Sequence, residues 1–294
     1  MESRKVNLFV VGAMRAGTTS FMELLSKHPQ VYTSPIKEPN YFVDELPKNF
    51  YTSSRFFNID AYFKNDFPAF IHSAKVEEEI HYKKLFSLAQ DKKYLAEGST
   101  AYLHAPECAK KIYNYNQNST IIILVRNPLQ RAFSHYKMDL GLGRVRKSFE
   151  TVIKKEIILY KENRLPWNSY IGMSSYNKPI NNYKKLFNKV LVIDFEEFVT
   201  TKLAILKNFA IFLEIEPFSI IGIDNKNQTK TLRFQKLLYL LKQLGLKDYF
   251  SFLFSSSLKM TFFNLIIKNK DQPLHLSPKV KQEIEVLFEK EIQD

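Results

Sequence analysis

The feature that most restricts the fold is a short apolar run at residues 6–11 that ends in Gly12-Ala13-Met14-Arg15-Ala16-Gly17-Thr18-Thr19 and passes directly into helical spacing. Phe21, Leu24 and Leu25 recur at intervals of three and one. Lys27-His28-Pro29 then supply a cation and a proline where that helix should close. A continuous apolar strand, unlike an alternating one, is buried on both faces, as strands are in a parallel sheet. The same texture returns at residues 94–96, 120–125 and 190–193, with 30–33 as a further short strand. Each run is followed by a turn and helix-like spacing. Repetition of strand, turn and helix predicts right-handed βαβ units, hence an α/β fold with a parallel β-sheet flanked by helices on both faces. Ligands of such sheets bind at the carboxyl ends of the strands, so the informative residues should lie just after each one.

The 294 residues include only 8 Gly and 12 Pro, and no linker-like tract interrupts them. One domain over 1–294 is therefore expected, with a core over about 5–231 and a helical C-terminal part over about 232–294. In that last part Leu237, Leu238, Leu240, Leu241, Phe250, Phe252, Leu253 and Phe254 read as helices packing on the body. Phe262, Phe263, Leu265, Ile266 and Ile267 beside Lys268 and Lys270 offer a basic apolar face for peripheral membrane contact. No run approaches the roughly 18 apolar residues of a membrane span. The final segment, 277–292, opens on Ser277-Pro278 and keeps Val280, Ile284, Leu287 and Ile292 in helical register.

Lys and Arg total 43 against 30 Asp and Glu, a formal charge of +13. Such a surface attracts an anionic nucleotide, an acidic glycan, nucleic acid or an anionic membrane, and charge alone does not choose among them. Cys108 is the only cysteine, so no intramolecular disulfide forms. With no signal-like apolar segment after the charged residues 1–5, a cytoplasmic protein is expected. Asn118-Ser119-Thr120 and Asn227-Gln228-Thr229 read as chance matches to a glycosylation pattern.

The loop 12–19 has the frame G-x-x-x-x-G of a P-loop, at a strand-to-helix junction where backbone N–H groups and a helix dipole receive an anion. The fold is accordingly P-loop-like. One departure is decisive: Thr18 stands where a nucleotide triphosphatase needs lysine, and Arg15 supplies the cation from inside the loop. A nucleotide kinase or NTPase, and a non-catalytic basic polyanion-binding protein, remain the alternatives. A second anion site follows residues 120–125. There Arg126-Asn127-Pro128 ends the strand, and Ser134 lies eight residues on, about two helical turns, where it can converge with Arg126 on one phosphate. Arg131 suits a structural role or a nearby carboxylate. His135 reads as packed or exposed.

Together the loop, the run R-N-P-x-x-R-x-x-S-x-Y at 126–136 and Lys37-Glu38-Pro39-Asn40-Tyr41-Phe42 resemble the PAPS-dependent sulfotransferases, especially their carbohydrate-acting and bacterial branches. The resemblance implies a donor, PAPS (3'-phosphoadenosine 5'-phosphosulfate), a product, PAP (3'-phosphoadenosine 5'-phosphate), and no required metal. It implies that Arg15 and the N–H groups of Ala16, Gly17, Thr18 and Thr19 hold the 5'-phosphosulfate, with both threonine hydroxyls assisting. Arg126 and Ser134 would take the 3'-phosphate, Glu38 the role of base, and Arg15 with Lys37 the stabilisation of charge. Residues 97–102 resemble a segment lining the acceptor site, without the lysine that relatives acting on heparan chains carry near Gly98. Tyr176 stands where either a nucleotide contact or aromatic packing fits, and Lys230 and Arg233 where relatives close a basic loop over the 3'-phosphate. The implied acceptor is a hydroxyl or amine on a carbohydrate, glycolipid or small molecule, and nucleic acid is not an expected partner.

Overall fold

A computed structural model describes residues 4–47, 57–218 and 274–293, together with the two-residue strands at 231–232 and 267–268. In chain order the strands are β1 (Leu8–Gly12), β2 (Val31–Thr33), β3 (Ile36–Glu38), β4 (Ile71–Ser73), β5 (Tyr94–Glu97), β6 (Thr120–Val125), β7 (Lys189–Asp194), β8 (Thr231–Leu232) and β9 (Ile267–Lys268). The helices are α1 (Thr18–Ser26), α2 (Ile59–Ala61), α3 (Glu79–Lys84), α4 (Cys108–Tyr115), α5 (Pro128–Gly141), α6 (Phe149–Lys161), α7 (Asn177–Leu186), α8 (Phe195–Thr200), α9 (Lys202–Leu213) and α10 (Pro278–Gln293).

Five strands form one sheet in the order β2-β5-β1-β6-β7, and every neighbouring pair is parallel. The chemistry of the runs explains it. All five residues of β1 and five of the six in β6 are buried, because helices cover both faces of the sheet. The chain leaves β1 toward one edge and returns on its other side at β6. The carboxyl tips of β1 and β6 therefore flank the place where the strand order reverses, which is where such sheets bind ligands.

A second pairing was not anticipated from the sequence. The stretch Ile36–Glu38 forms a short parallel pair with Ile71–Ser73, matching Ile36 to Ile71 and Glu38 to Ser73. It holds the Lys37-Glu38 dipeptide at a fixed height beside the main sheet. Likewise Ile267–Lys268 pairs antiparallel with Thr231–Leu232, where helices were expected; the β-branched Thr231 and Ile267 suit that extended backbone. The remainder of the expected C-terminal helices, 233–266 and 269–273, lies outside the described residues, as do Lys230 and Arg233 themselves.

Two apolar clusters fill the body. The larger joins the sheet to α1, α4, α7 and α9. The smaller joins α5 and α6 to α10 through residues such as Phe133, Phe149, Ile153, Ile284 and Leu287. The C-terminal helix is thus packed on the same helix that carries Ser134. Across that second cluster runs Arg131, which is fully buried and, among the described residues, has polar partners other than carboxylates. Its Nε donates to Ser174 Oγ at 2.6 Å, Nη2 to the Tyr170 carbonyl at 2.7 Å and Nη1 to His135 Nδ1 at 3.3 Å. Burial first, then the Arg131 charge, keeps His135 neutral, well below the ordinary histidine pKa. These two residues are structural. Arg131→Met should leave Ser174 Oγ and His135 Nδ1 without their Arg131 donor, with the Tyr170 carbonyl keeping only Ser174 Oγ, and cost about 1–3 kcal/mol, read as a lower urea midpoint.

Candidate active site

The loop after β1 turns sharply because Gly17 takes a left-handed backbone (φ 83°), and a Cβ there would stand 2.6 Å from the Phe195 ring. Only glycine meets both conditions. Gly17 offers no side-chain cap to α1, so the first-turn N–H groups of the helix face the loop's concavity, a ready site for an anion. Thr18 is buried and Thr19 exposed at that end. Arg15 also adopts a left-handed backbone (φ 70°), which sends its side chain away from α1 and toward α5.

There Arg15 Nε donates to Ser134 Oγ at 3.1 Å. Arg126, just past β6, donates from Nη1 to the Arg15 carbonyl at 3.5 Å. The two anion sites read from the sequence as separate are therefore contiguous. The cause is topological: β1 and β6 are direct neighbours, about 4.8 Å apart, so residues leaving their tips share one space. Burial, and then the Arg126 charge, lowers the Arg15 pKa, with Asp139 opposing the shift. Two cations held this close favour an anion of more than one charge between them.

Glu38 sits on the other side of the loop. Both Lys37 and Glu38 are buried, and Lys37 Nζ lies 2.5 Å from Glu38 Oε1. The second oxygen, Oε2, accepts from Thr100 Oγ1 at 3.3 Å. Asn40 fixes the segment: its Nδ2 donates to the Glu38 carbonyl at 2.9 Å and the Ala74 carbonyl at 3.0 Å, and its N–H donates to Ser99 Oγ at 3.0 Å. Residues 97–102 thus form the bridge between Glu38 and the loop. Gly12 packs so closely on the end of this segment that a Cβ would stand 3.4 Å from the Thr100 carbonyl and 2.8 Å from Leu103, the residue that follows it. The Leu103 N–H donates to the Val11 carbonyl at 2.8 Å.

Tyr176 lies at the start of α7 with its hydroxyl buried and no hydrogen-bond partner among the described residues, its pKa pushed up to about 12 by burial. Asp194, the aspartate a nucleotide triphosphatase reading would place on a metal, caps α8 by accepting from the Glu197 N–H at 2.9 Å. Among the described residues no cluster of His, Cys, Asp and Glu could hold a metal ion. Sequence reasoning missed Asn40, Thr100 and Glu196, whose carboxylate is 3.2 Å from Arg126 Nε. Only Glu196 carried a signal, an acidic residue in the first turn after a strand.

Comparison with known proteins gives three findings. The family described as "Sulfotransferase family" matches residues 7–219. Among curated proteins the chain is similar to membrane-associated sulfotransferase kil1 of Dictyostelium discoideum (24% identity over 61% of this chain and 33% of kil1). It is also similar to heparan sulfate glucosamine 3-O-sulfotransferase 5 of Mus musculus (25% identity over 71% of this chain and 53% of that protein). The chain thus spans about a third and about half of these relatives. Among solved structures, a sulfotransferase from Alicyclobacillus acidocaldarius shares the fold, with a TM-score of 0.63 and 22% identity over 99% of this chain and 94% of that one.

One buried group gives the site a measurable pH signature. Glu97, at the tip of β5, is fully buried, with the Tyr82, Tyr102 and Ser99 hydroxyls as its polar neighbours. Burial raises its pKa to about 7. The folded protein therefore holds a proton that the unfolded chain releases near the ordinary carboxylate pKa of 4.5. Stability from this group is fully present below that value and falls as pH rises toward 7. Glu97→Gln should remove that decline, so its thermal midpoint should gain on the parent between pH 5 and pH 8.

Proposed function

The chain belongs to the sulfotransferase family, and on that premise we propose that it is an enzyme transferring a sulfuryl group from PAPS to a hydroxyl or amine. The observation that carries the reading is the meeting of Arg15, Arg126 and Ser134 at neighbouring strand tips, with Glu38 joined to the same loop through Thr100. Arg15 and the first-turn N–H groups of α1 take the 5'-phosphosulfate. Arg126 and Ser134 take the 3'-phosphate, the group that distinguishes this donor from ATP. Thr18 and Thr19 stand at the helix end to assist.

In the transfer step the acceptor oxygen or nitrogen bonds to sulfur, the bond from sulfur to the 5'-phosphate oxygen breaks, and Glu38 receives the acceptor's proton. Negative charge gathers on the departing phosphate, where Arg15 and the loop N–H groups meet it, a preorganised arrangement that needs no covalent intermediate. Lys37 acts through Glu38: it offsets the cost of burying that carboxylate and fixes Oε1, while Thr100 fixes Oε2. The proton is accepted on the side of Glu38 facing the acceptor segment 97–102.

The acceptor we propose is a carbohydrate or a carbohydrate-bearing lipid, a reading supported by the similarity to a heparan sulfate sulfotransferase. Peripheral membrane contact is consistent with the similarity to membrane-associated kil1, and among the described residues no helix is long and apolar enough to cross a membrane. We further propose that 1–294 is one unit, supported by the packing of α10 on α5 and α6. Of the two readings of Tyr176, aromatic packing is supported by its ring lying 6.2 Å from that of His104.

PAP should raise the melting temperature well above the effect of AMP at equal concentration, by roughly 2–4 °C for each kcal/mol of extra binding. Equal shifts would remove the 3'-phosphate assignment. Glu38→Gln should lower transfer from labelled PAPS by about 10²–10⁴ while leaving the PAP-induced shift intact; normal turnover in that variant would show that Glu38 is not the base. Activity should persist in EDTA, and loss restored by Mg²⁺ would contradict metal-free transfer.

A further inference from the structure

The ion pair between Arg126 and Glu196 has an arrangement that a stray surface contact would not need. The register of β6 and β7 matches Val125 to Asp194, so Arg126 and the first turn of α8 begin side by side. Asn127 caps α5 by accepting from the Gln130 N–H, as Asp194 caps α8, and the two helix starts face each other. Glu196 bridges them with both oxygens: Oε1 accepts from Arg126 Nε at 3.2 Å and Oε2 from the Asn127 N–H at 3.4 Å. The guanidinium also lies 4.9 Å from the centre of the Phe195 ring, the ring that packs over Gly17. Nε is thus held by Glu196, one face by Phe195 and Nη1 by the Arg15 carbonyl. Nη2 has no protein partner among the described residues.

We infer that Glu196 is a positioning residue for 3'-phosphate selection: it locks the Nε edge of Arg126 so that the opposite edge of the guanidinium is presented to the nucleotide. The inference rests on the reading that Arg126 binds the 3'-phosphate. Its sign is opposite to what charge alone gives. A carboxylate beside a phosphate pocket repels the phosphate, so a Glu196 acting only through its charge would weaken binding, and its removal would tighten it. A Glu196 acting by orientation strengthens binding, because a long side chain held in one rotamer loses less freedom when the ligand arrives.

Calorimetric titration of the full chain with PAP and with AMP separates the cases. The parent protein should prefer PAP. Glu196→Ala should weaken PAP about tenfold and leave AMP within about twofold, so the preference narrows. Glu196→Gln keeps one acceptor oxygen for Arg126 Nε and should fall between the two. A general loss of structure would weaken both nucleotides together, and in that event the same comparison on Glu196→Gln decides. Unchanged or tighter PAP binding in the variants overturns the inference, as does a Glu196→Gln no better than Glu196→Ala. A parent protein with no preference for PAP instead removes the assignment of Arg126 itself, and the role of Glu196 with it.

Discussion

Two guanidinium groups that would repel each other in isolation are held together here because the strands that carry them are neighbours. Arg15 leaves β1 and Arg126 leaves β6, and the direct pairing of those strands gives their side chains one shared space. A left-handed backbone at Arg15 aims its side chain across to Ser134, and the Arg15 carbonyl returns a contact to Arg126. The strain and the repulsion are tolerated because the two strands that carry the arginines are buried, all of β1 and all of β6 but Val125. On the proposed reading, a nucleotide carrying phosphate at two positions offsets the repulsion at both ends.

The acidic half of the site depends on the same sheet one strand further out. β5 lies beside β1, and the segment leaving β5 touches the loop at Gly12 and the Glu38 carboxylate at Thr100. Asn40 and the short β3–β4 pair set the height of Glu38. The separation of Glu38 from the two arginines is therefore set by strand pairing and by the side-chain hydrogen bonds of Asn40 and Thr100. Charges buried in this half are paired or suppressed: Lys37 meets Glu38, while Glu97 is pushed toward its neutral form. A second ionised carboxylate at Glu97 would add unfavourable charge beside Glu38.

Much of this was legible in the residues themselves. The apolar runs at 6–11, 94–96, 120–125 and 190–193 became β1, β5, β6 and β7 with ends shifted by no more than two residues, because the central strands, covered on both faces, must be apolar throughout. The loop at 12–19 could be read because glycine and a helix start leave a mark in the sequence. The contact between Arg15 and Ser134 spans 119 positions, and that between Arg126 and Glu196 spans 70. Such contacts follow from strand order, which local periodicity does not encode. The three-residue strand carrying Lys37 and Glu38 was hidden for a related reason. Its polar residues face no alternating pattern, and its burial comes from β4 and the 97–102 segment, both distant in sequence.

The most direct measurement is a crystal structure of the protein with PAP. One nucleotide should lie across the tips of β1 and β6, its 5'-phosphate in the loop at 15–19 and its 3'-phosphate against Arg126 and Ser134. A nucleotide bound elsewhere, or one whose 3'-phosphate points to solvent with Arg126 still facing only Glu196, would contradict the shared two-arginine site.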